Sequence, residues 1–453
     1  MARRRKRKPL DLTPKEIKID SLAHDGRGVG RGDDGKVVFV DYALPGETVR
    51  YVAVKNHKSF LFGSTIEVLE KSEHRVEPKC AVFGQCGGCV LQHLDEHIQI
   101  QYKQQQLLEN FKKIGNVQPE NLLNPMTGKH WGYRRRARLG AKFVPKKGGM
   151  IVGFRERNSS YIQPTESCEV LYPEVAALLP DLRSTLEQTS CNDKIPQVEI
   201  SVADNATVMI VRHLETFTQG DLDLLTEFAK RNATSNNLQI FLQPGNLKSV
   251  HPLYPNQPDP LYYEFKDFDI KVEFLPTDFI QVNAGINDQL VAKTIELLDL
   301  QANDRVLDLF CGVGNFTLPM ARKSNHVVGV EGDQALVNRA LHNKKLNQIE
   351  HLDFHFGDLF KEDMSASSHG DWLDQKFDKI LLDPPRSGAA EMIKRLPQFG
   401  ASKVVYVSCG PATLARDAGV MVNEHGYRLS HAGVIDMFPH TAHVESIAVF
   451  EKD

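Results

Sequence analysis

The stretch Arg305-Val306-Leu307-Asp308-Leu309-Phe310-Cys311-Gly312-Val313-Gly314-Asn315-Phe316-Thr317 decides the fold. Its first six residues, apolar at Val306, Leu307, Leu309 and Phe310, have the pattern of a buried strand. Gly312 and Gly314 then allow a sharp turn, and a helix is expected from there through Arg322. The same alternation continues downstream. A strand is expected at 326–330, a helix at 334–347 and a strand near Phe354, with further strands at 379–382, 403–407 and 445–451. Strand and helix alternating in this way specify a doubly wound α/β domain, which we assign to residues 268–453. Glu331 ends the second of these strands, where an acid can grip ribose hydroxyls.

A Gly-x-Gly turn alone fits a methyltransferase, a dehydrogenase or a plain tight turn. The next two motifs separate these. Asp383-Pro384-Pro385-Arg386 places a rigid loop at the carboxyl edge of the same sheet, for which a dehydrogenase has no evident use. There the sequence resembles S-adenosylmethionine-dependent methyltransferases. Enzymes that methylate adenine carry an aromatic residue after the prolines to stack on the base; here Arg386 stands instead. In Val407-Ser408-Cys409-Gly410, the cysteine lies at the end of the following strand. Carbon 5 of uracil is a poor nucleophile, but a thiolate adding to carbon 6 makes it enolate-like. A base must then take the carbon 5 proton, and Glu445 in His443-Val444-Glu445-Ser446 is the candidate. An isolated cysteine would more often be buried filler; beside the other two motifs, Cys409 reads as the nucleophile.

Together these motifs resemble the RNA uracil-C5-methyltransferase family from about Phe279 to Phe450. The resemblance implies that Gln281, Phe310, Asn315, Glu331, Asp358 and Asp383 line the S-adenosylmethionine site, with Cys409 and Glu445 catalytic.

Upstream, Cys80, Cys86 and Cys89 crowd within ten residues, with Gly87 and Gly88 between the last two. Such a loop can grip a metal, and Cys168 is the natural fourth ligand. Spacing alone leaves zinc and an iron–sulfur cluster open and slightly favours zinc. Zinc sites usually pair two Cys-x-x-Cys knuckles, however, whereas Cys168 stands alone, and the family resemblance implies a [4Fe–4S] cluster. Residues 36–40, 49–54 and 60–69 read as short strands, and with their turn signals they suggest a small closed barrel over residues 12–70. It resembles a TRAM domain, an OB-like RNA-binding module. The glycine-rich run from Asp25 to Gly32 is expected to join two strands. Residues 71–267 would form a mixed α+β domain carrying the cluster, with a helix at 94–114, strands at 133–144 and 197–212, and a linker or loop at 251–260. Tyr133-Arg134-Arg135-Arg136-Ala137-Arg138 reads either as an RNA-binding surface or as a strand with one charged face. Within the family, a TRAM domain followed by the cysteine cluster implies 23S ribosomal RNA as substrate.

The 453 residues carry a net charge of −3, yet Arg3, Arg4, Arg5, Lys6, Arg7 and Lys8 form an unbroken basic arm within residues 1–11. The rest has 49 basic against 58 acidic residues, a net of −9. A basic arm on an acidic body fits a tether to a polyanion, or a solvated tail. Seven cysteines without a disulfide pattern, no secretory signal and no membrane-length apolar run point to a cytoplasmic protein. No obligate protein partner is evident, and a monomer is the default. The rival functions are the same chemistry on transfer RNA or another ribosomal uridine, RNA cytosine-C5 methylation, and a non-catalytic iron–sulfur protein that binds RNA.

Overall fold

The computed structural model describes residues 10–233, 237–361 and 371–452; the basic arm from Arg3 to Lys8 lies outside them. The chain forms two compact units. The first comprises the described residues up to Tyr102 together with His440–His443, and the second comprises Lys103–Pro439 and the chain from Val444 onward.

In the first unit, six described strands form one sheet in the order Lys15–Lys18, Thr48–Asn56, Phe60–Glu70, Val37–Asp41, Gly28–Arg31, Ser21–Leu22. Its two edge strands are joined by only Ile19 and Asp20, so the sheet must curl until its edges meet. No ladder pairs the two edges, and the corner is tied by Ile19 N–H donating to Glu47 O and Asp20 N–H to Val29 O, each at 2.8 Å. Ile17, Ile19, Val38, Val40, Ala43, Val49 and Tyr51 fill the interior. The glycine-rich run does not merely connect strands: Gly28–Arg31 is itself a strand. A Cβ on Gly30 would lie 2.3 Å from Lys18 O, and one on Gly28 would lie 2.7 Å from Ala43 O. The glycines are there for close backbone approach.

The second unit holds two larger sheets. Seven described strands run in the order Ile162–Pro164, Gly149–Arg155, Arg136–Val144, Gln197–Val202, Thr207–Arg212, Leu238–Gln243, His251–Tyr254. Helices Pro173–Glu187 and Gln219–Asn232 contribute Leu179, Leu182, Leu186, Leu225 and Phe228 to the core packed against it. The expected strand at 197–212 is two antiparallel strands, because Ala203 and Ala206 close a turn within it (N–H to O, 2.8 Å). The stretch expected as a linker begins instead with the edge strand His251–Tyr254. A hairpin of Leu261–Phe265 and Ile270–Phe274 then spans residues 267 and 268, so the expected division between domains falls inside one element.

The last sheet carries the α/β pattern. Its eight described strands run Leu352–Phe356, His326–Glu331, Arg305–Leu309, Lys379–Leu382, Lys403–Ser408, Glu445–Glu451, Arg428–Ile435, Asn121–Leu122. The first five are mutually parallel, with Arg305–Leu309 in their middle; Glu445–Glu451 returns antiparallel beside Lys403–Ser408. The parallel strands are almost wholly apolar because helices cover both faces of such sheets. All five end on one edge, where the strand order reverses direction around Arg305–Leu309 and ligands settle in folds of this kind.

Candidate active site

Immediately after Leu309 the chain turns through left-handed backbone at Phe310 (φ 68°), Gly312 (φ 56°) and Gly314 (φ 97°). For a bulky aromatic such as Phe310 this conformation costs roughly 1–3 kcal/mol and marks a position held for a purpose. A Cβ on Gly312 would meet nothing within 4 Å, so the turn borders open space that a ligand can enter. Glu331 closes the neighbouring strand, and one carboxylate oxygen accepts from Gly312 N–H at 3.0 Å. Its other oxygen accepts from Asp333 N–H at 3.0 Å, which fixes the carboxylate at the strand end. Asp358 follows the next strand over; Phe360 N–H donates to it at 3.2 Å and Lys361 pairs with it at 3.3 Å. Phe310 and the half-exposed Phe360 meet with ring centroids 5.5 Å apart. Beneath them Asp308 is fully buried, takes a 2.6 Å hydrogen bond from the Thr317 hydroxyl and is pushed up to about 8, chiefly by burial.

Two strands further along the edge, the pairing of Ser408 with Ser446 sets Cys409 and Glu445 at the adjoining register position. Glu445 is 4% exposed, and burial with the charge of Asp383 pushes its carboxyl up to about 8 while Arg386 opposes. Cys409 is half-buried; burial, then Glu445 and Asp383, push its thiol up to about 11, again against Arg386. Burial raises Asp383 itself to about 7. Cys409, Glu445, Asp383 and Arg386 therefore sit in one field, at the same sheet edge as Phe310, Glu331 and Asp358. A nucleophile beside a carboxyl tuned to titrate near neutral pH is an arrangement suited to thiolate addition followed by proton removal.

Gln281 and Asn315 are joined to this edge through residues that carry no motif. Asn315 and Asn287 exchange amide hydrogen bonds at 3.0 and 3.1 Å, and the Tyr263 hydroxyl donates to Asn315 Oδ1 at 2.9 Å. Arg135 Nε donates to the Gln281 carbonyl at 2.7 Å, and its guanidinium lies 5.0 Å over the Tyr263 ring. Arg136 donates to the carbonyls of Asp278 and Thr277, and Arg134 to that of Arg136. The arginine run was a candidate RNA-binding surface. Tyr133, however, is buried with its hydroxyl on Pro439 O, Arg135 is buried, and Arg134 and Arg136 are committed to backbone carbonyls. Arg138 is the exposed member, paired with Glu199 at 3.0 Å. The run mainly fastens the segment around Gln281. Tyr263, Asn287 and Phe360 were missed in the sequence because nothing local to them signals a site.

The cysteine loop belongs to the first unit. Cys80, Cys86 and Cys89 are half-buried and form no disulfide, and Cys86 Sγ accepts a hydrogen bond from Gly88 N–H at 3.3 Å. Such an N–H···S contact suits a thiolate ligand. Cys168 is half-buried in the second unit and forms no disulfide. Among the described residues, no three His, Cys, Asp or Glu side chains are gathered closely enough to hold a metal ion. By their chemistry, thiolate donors of this kind suit an iron–sulfur or zinc site.

A family described as tRNA (Uracil-5-)-methyltransferase matches residues 262–453, and the TRAM domain matches residues 14–66. A Nitrosococcus oceani protein named 23S rRNA (uracil(1939)-C(5))-methyltransferase RlmD is 47% identical over 453 residues, covering 100% of this chain and 99% of its own. The Methylococcus capsulatus protein of the same name is 45% identical over 452 residues, covering 100% of both. The chain belongs to the RNA uracil-C5-methyltransferase family. Among solved structures of the family, the Pyrococcus abyssi tRNA (uracil-54, C5)-methyltransferase, determined with S-adenosyl-L-homocysteine, superposes with a TM-score of 0.72 over 96% of this chain and 100% of its own. At 22% identity that likeness shows the fold. The first unit thus carries the TRAM domain, and the sheet edge described above lies in the family's methyltransferase domain. No helix among the described residues is long and apolar enough to cross a membrane.

Proposed function

We propose that the protein methylates carbon 5 of a uridine in 23S ribosomal RNA to give 5-methyluridine, with S-adenosylmethionine as the methyl donor, in the cytoplasm. The observation that carries the mechanism is the register that sets Cys409 beside the buried Glu445, at the edge where Phe310, Glu331, Asp358 and Asp383 converge. The full-length relatives named for 23S ribosomal RNA support the substrate, and the TRAM domain supports an RNA partner.

The residues fit the donor. The turn at Gly312 leaves room for it, the fixed Glu331 carboxylate suits ribose hydroxyls, and Phe310, Asp358, Asn315, Gln281 and Asp383 complete the cradle. When bound, S-adenosylmethionine supplies an electrophilic methyl group on a sulfonium. Cys409 adds as thiolate to carbon 6 of the uracil, which makes carbon 5 the attacking nucleophile. Glu445, as carboxylate, then removes the carbon 5 proton, and the Cys409 thiolate is expelled as the carbon 5–carbon 6 double bond re-forms. A uridine within folded RNA has to be swung out of its stack to reach Cys409, at a cost of a few kcal/mol. Cys80, Cys86, Cys89 and Cys168 would hold a [4Fe–4S] cluster, which would brace the chain around it.

The test is to incubate the anaerobically purified protein with methyl-labelled S-adenosylmethionine and unmodified 23S ribosomal RNA, then digest the RNA and identify the labelled nucleoside. Label in 5-methyluridine at one position supports the reading. Label in 5-methylcytidine, or none while transfer RNA is labelled, overturns the substrate.

A further inference from the structure

Arg135 is 3% exposed, yet it lies in the stretch whose charges would ordinarily face solvent or RNA. Its backbone N–H donates to Val282 O at 2.9 Å, and Arg134 bridges Asn283, so the chain entering the central sheet pairs directly with the segment that carries Gln281. Its carbonyl accepts from Val202 N–H at 2.8 Å, which ties the same residue to strand Gln197–Val202. The side chain then reaches two parts of the cofactor cradle at once. Nε holds the Gln281 carbonyl at 2.7 Å, and the guanidinium lies over Tyr263, whose hydroxyl holds Asn315. Asp204 and Asp288 also face Arg135, and its cation works against the rise that burial imposes on both carboxyls.

We propose that Arg135 is a positioning residue for the methyl-donor site: it locks the Gln281 segment and, through Tyr263, the Asn315 amide into the geometry that receives S-adenosylmethionine. The inference rests on the reading of Gln281 and Asn315 as donor contacts. A buried charged hydrogen bond combined with a cation over an aromatic ring is a rigid support, because the guanidinium plane fixes both contacts together. Lysine at this position would keep the cation and lose the fork.

The experiment is calorimetric titration of S-adenosylhomocysteine into the full chain and into the Arg135→Met, Arg135→Lys and Tyr263→Phe variants, with KM for the donor and kcat measured in parallel. Arg135→Met should weaken binding by at least about tenfold, as expected for losing a hydrogen bond to a charged donor. KM should rise in step and kcat at saturating donor should stay nearly unchanged. Arg135→Lys should fall between the two, and Tyr263→Phe, which keeps the ring and drops one hydrogen bond, should show a smaller loss of the same kind. Native affinity in folded Arg135→Met, or in Tyr263→Phe should the methionine variant not fold, overturns the inference. So does a fall in kcat without a change in KM. Failure of the native chain to bind S-adenosylhomocysteine would overturn the donor-site reading itself, and this inference with it.

Discussion

Cys409 holds its proton up to a pH of about 11 in the RNA-free chain, and Glu445 holds its own up to about 8. At neutral pH the thiolate is therefore a minor species, and Glu445 is mostly a neutral acid. Since both groups react as anions, kcat/KM should climb with pH through about 8. The Glu445→Gln variant should lose that inflection and accumulate a protein–RNA adduct, because elimination stalls without a base. A flat pH profile in the native protein, or normal turnover by the glutamine variant, would show that another group removes the proton. Stability should move the opposite way. Asp308, Asp383 and Glu445 all have raised values in the folded state, to about 8, 7 and 8. Their contribution is complete below the ordinary carboxyl range and is lost as pH rises through 7 to 8. Through these groups melting temperature should thus fall from about pH 4 to about pH 8 and level off above it, and Asp308→Asn, neutral at every pH, should flatten the fall. At this scale the sequence was readable wherever a motif compresses chemistry into adjacent positions, as at Asp383 and Cys409. It was silent at Tyr263 and Asn287 and pointed Arg135 towards RNA or solvent, because their contacts join residues 28 to 146 positions apart.

Single elements show why local pattern succeeds or fails. The parallel strands at 305–309, 326–331 and 379–382 were legible because burial on both faces demands continuous apolar runs. The strand Gly28–Arg31 was not, since two of its four residues are glycines that signal a turn. Their reason is the closeness of Ala43 and Lys18, which is not written in neighbouring residues. Gly30→Ala should therefore destabilise the chain by about 1–3 kcal/mol through overpacking. Gly285→Ala, with nothing within 4 Å of the new Cβ and a place in the first turn of helix Ala284–Leu298, should stabilise by about 0.4–1 kcal/mol. Chemical denaturation of both variants decides the matter; equal effects would contradict the close approach at Gly30. The hairpin across the expected division at 267/268 was hidden for a similar reason. A hairpin turn and a linker share the same polar composition, and only the pairing of Leu261–Phe265 with Ile270–Phe274 tells them apart.

For the whole molecule, some of the decisive contacts lie between residues far apart in sequence. Lys103 is completely buried, with Nζ 2.7 Å from Asp436 Oδ1 and 3.0 Å from Phe438 O, which ties it to the chain just before Glu445. Burial lowers the lysine and Asp436 opposes that shift. Lys103→Met leaves the buried Asp436 with only His130, 3.8 Å from its other oxygen, so a loss of about 3–5 kcal/mol is expected by denaturant titration. The double variant Lys103→Met/Asp436→Leu should recover much of it, and no recovery would mean the pair has a role beyond mutual neutralisation. The cluster, if the four thiols hold one, should appear in anaerobic protein as bound iron and acid-labile sulfide, and should be lost in Cys86→Ala. The covalent step can be tested most directly of all. The native protein is incubated with S-adenosylmethionine and a 23S ribosomal RNA fragment bearing 5-fluorouridine, whose carbon 5 has no proton for Glu445 to take after methyl transfer, and the adduct is mapped by peptide mass spectrometry. A methylated fluoropyrimidine joined to the peptide containing Cys409 is the predicted result; no adduct, or one on any other residue, would contradict the account.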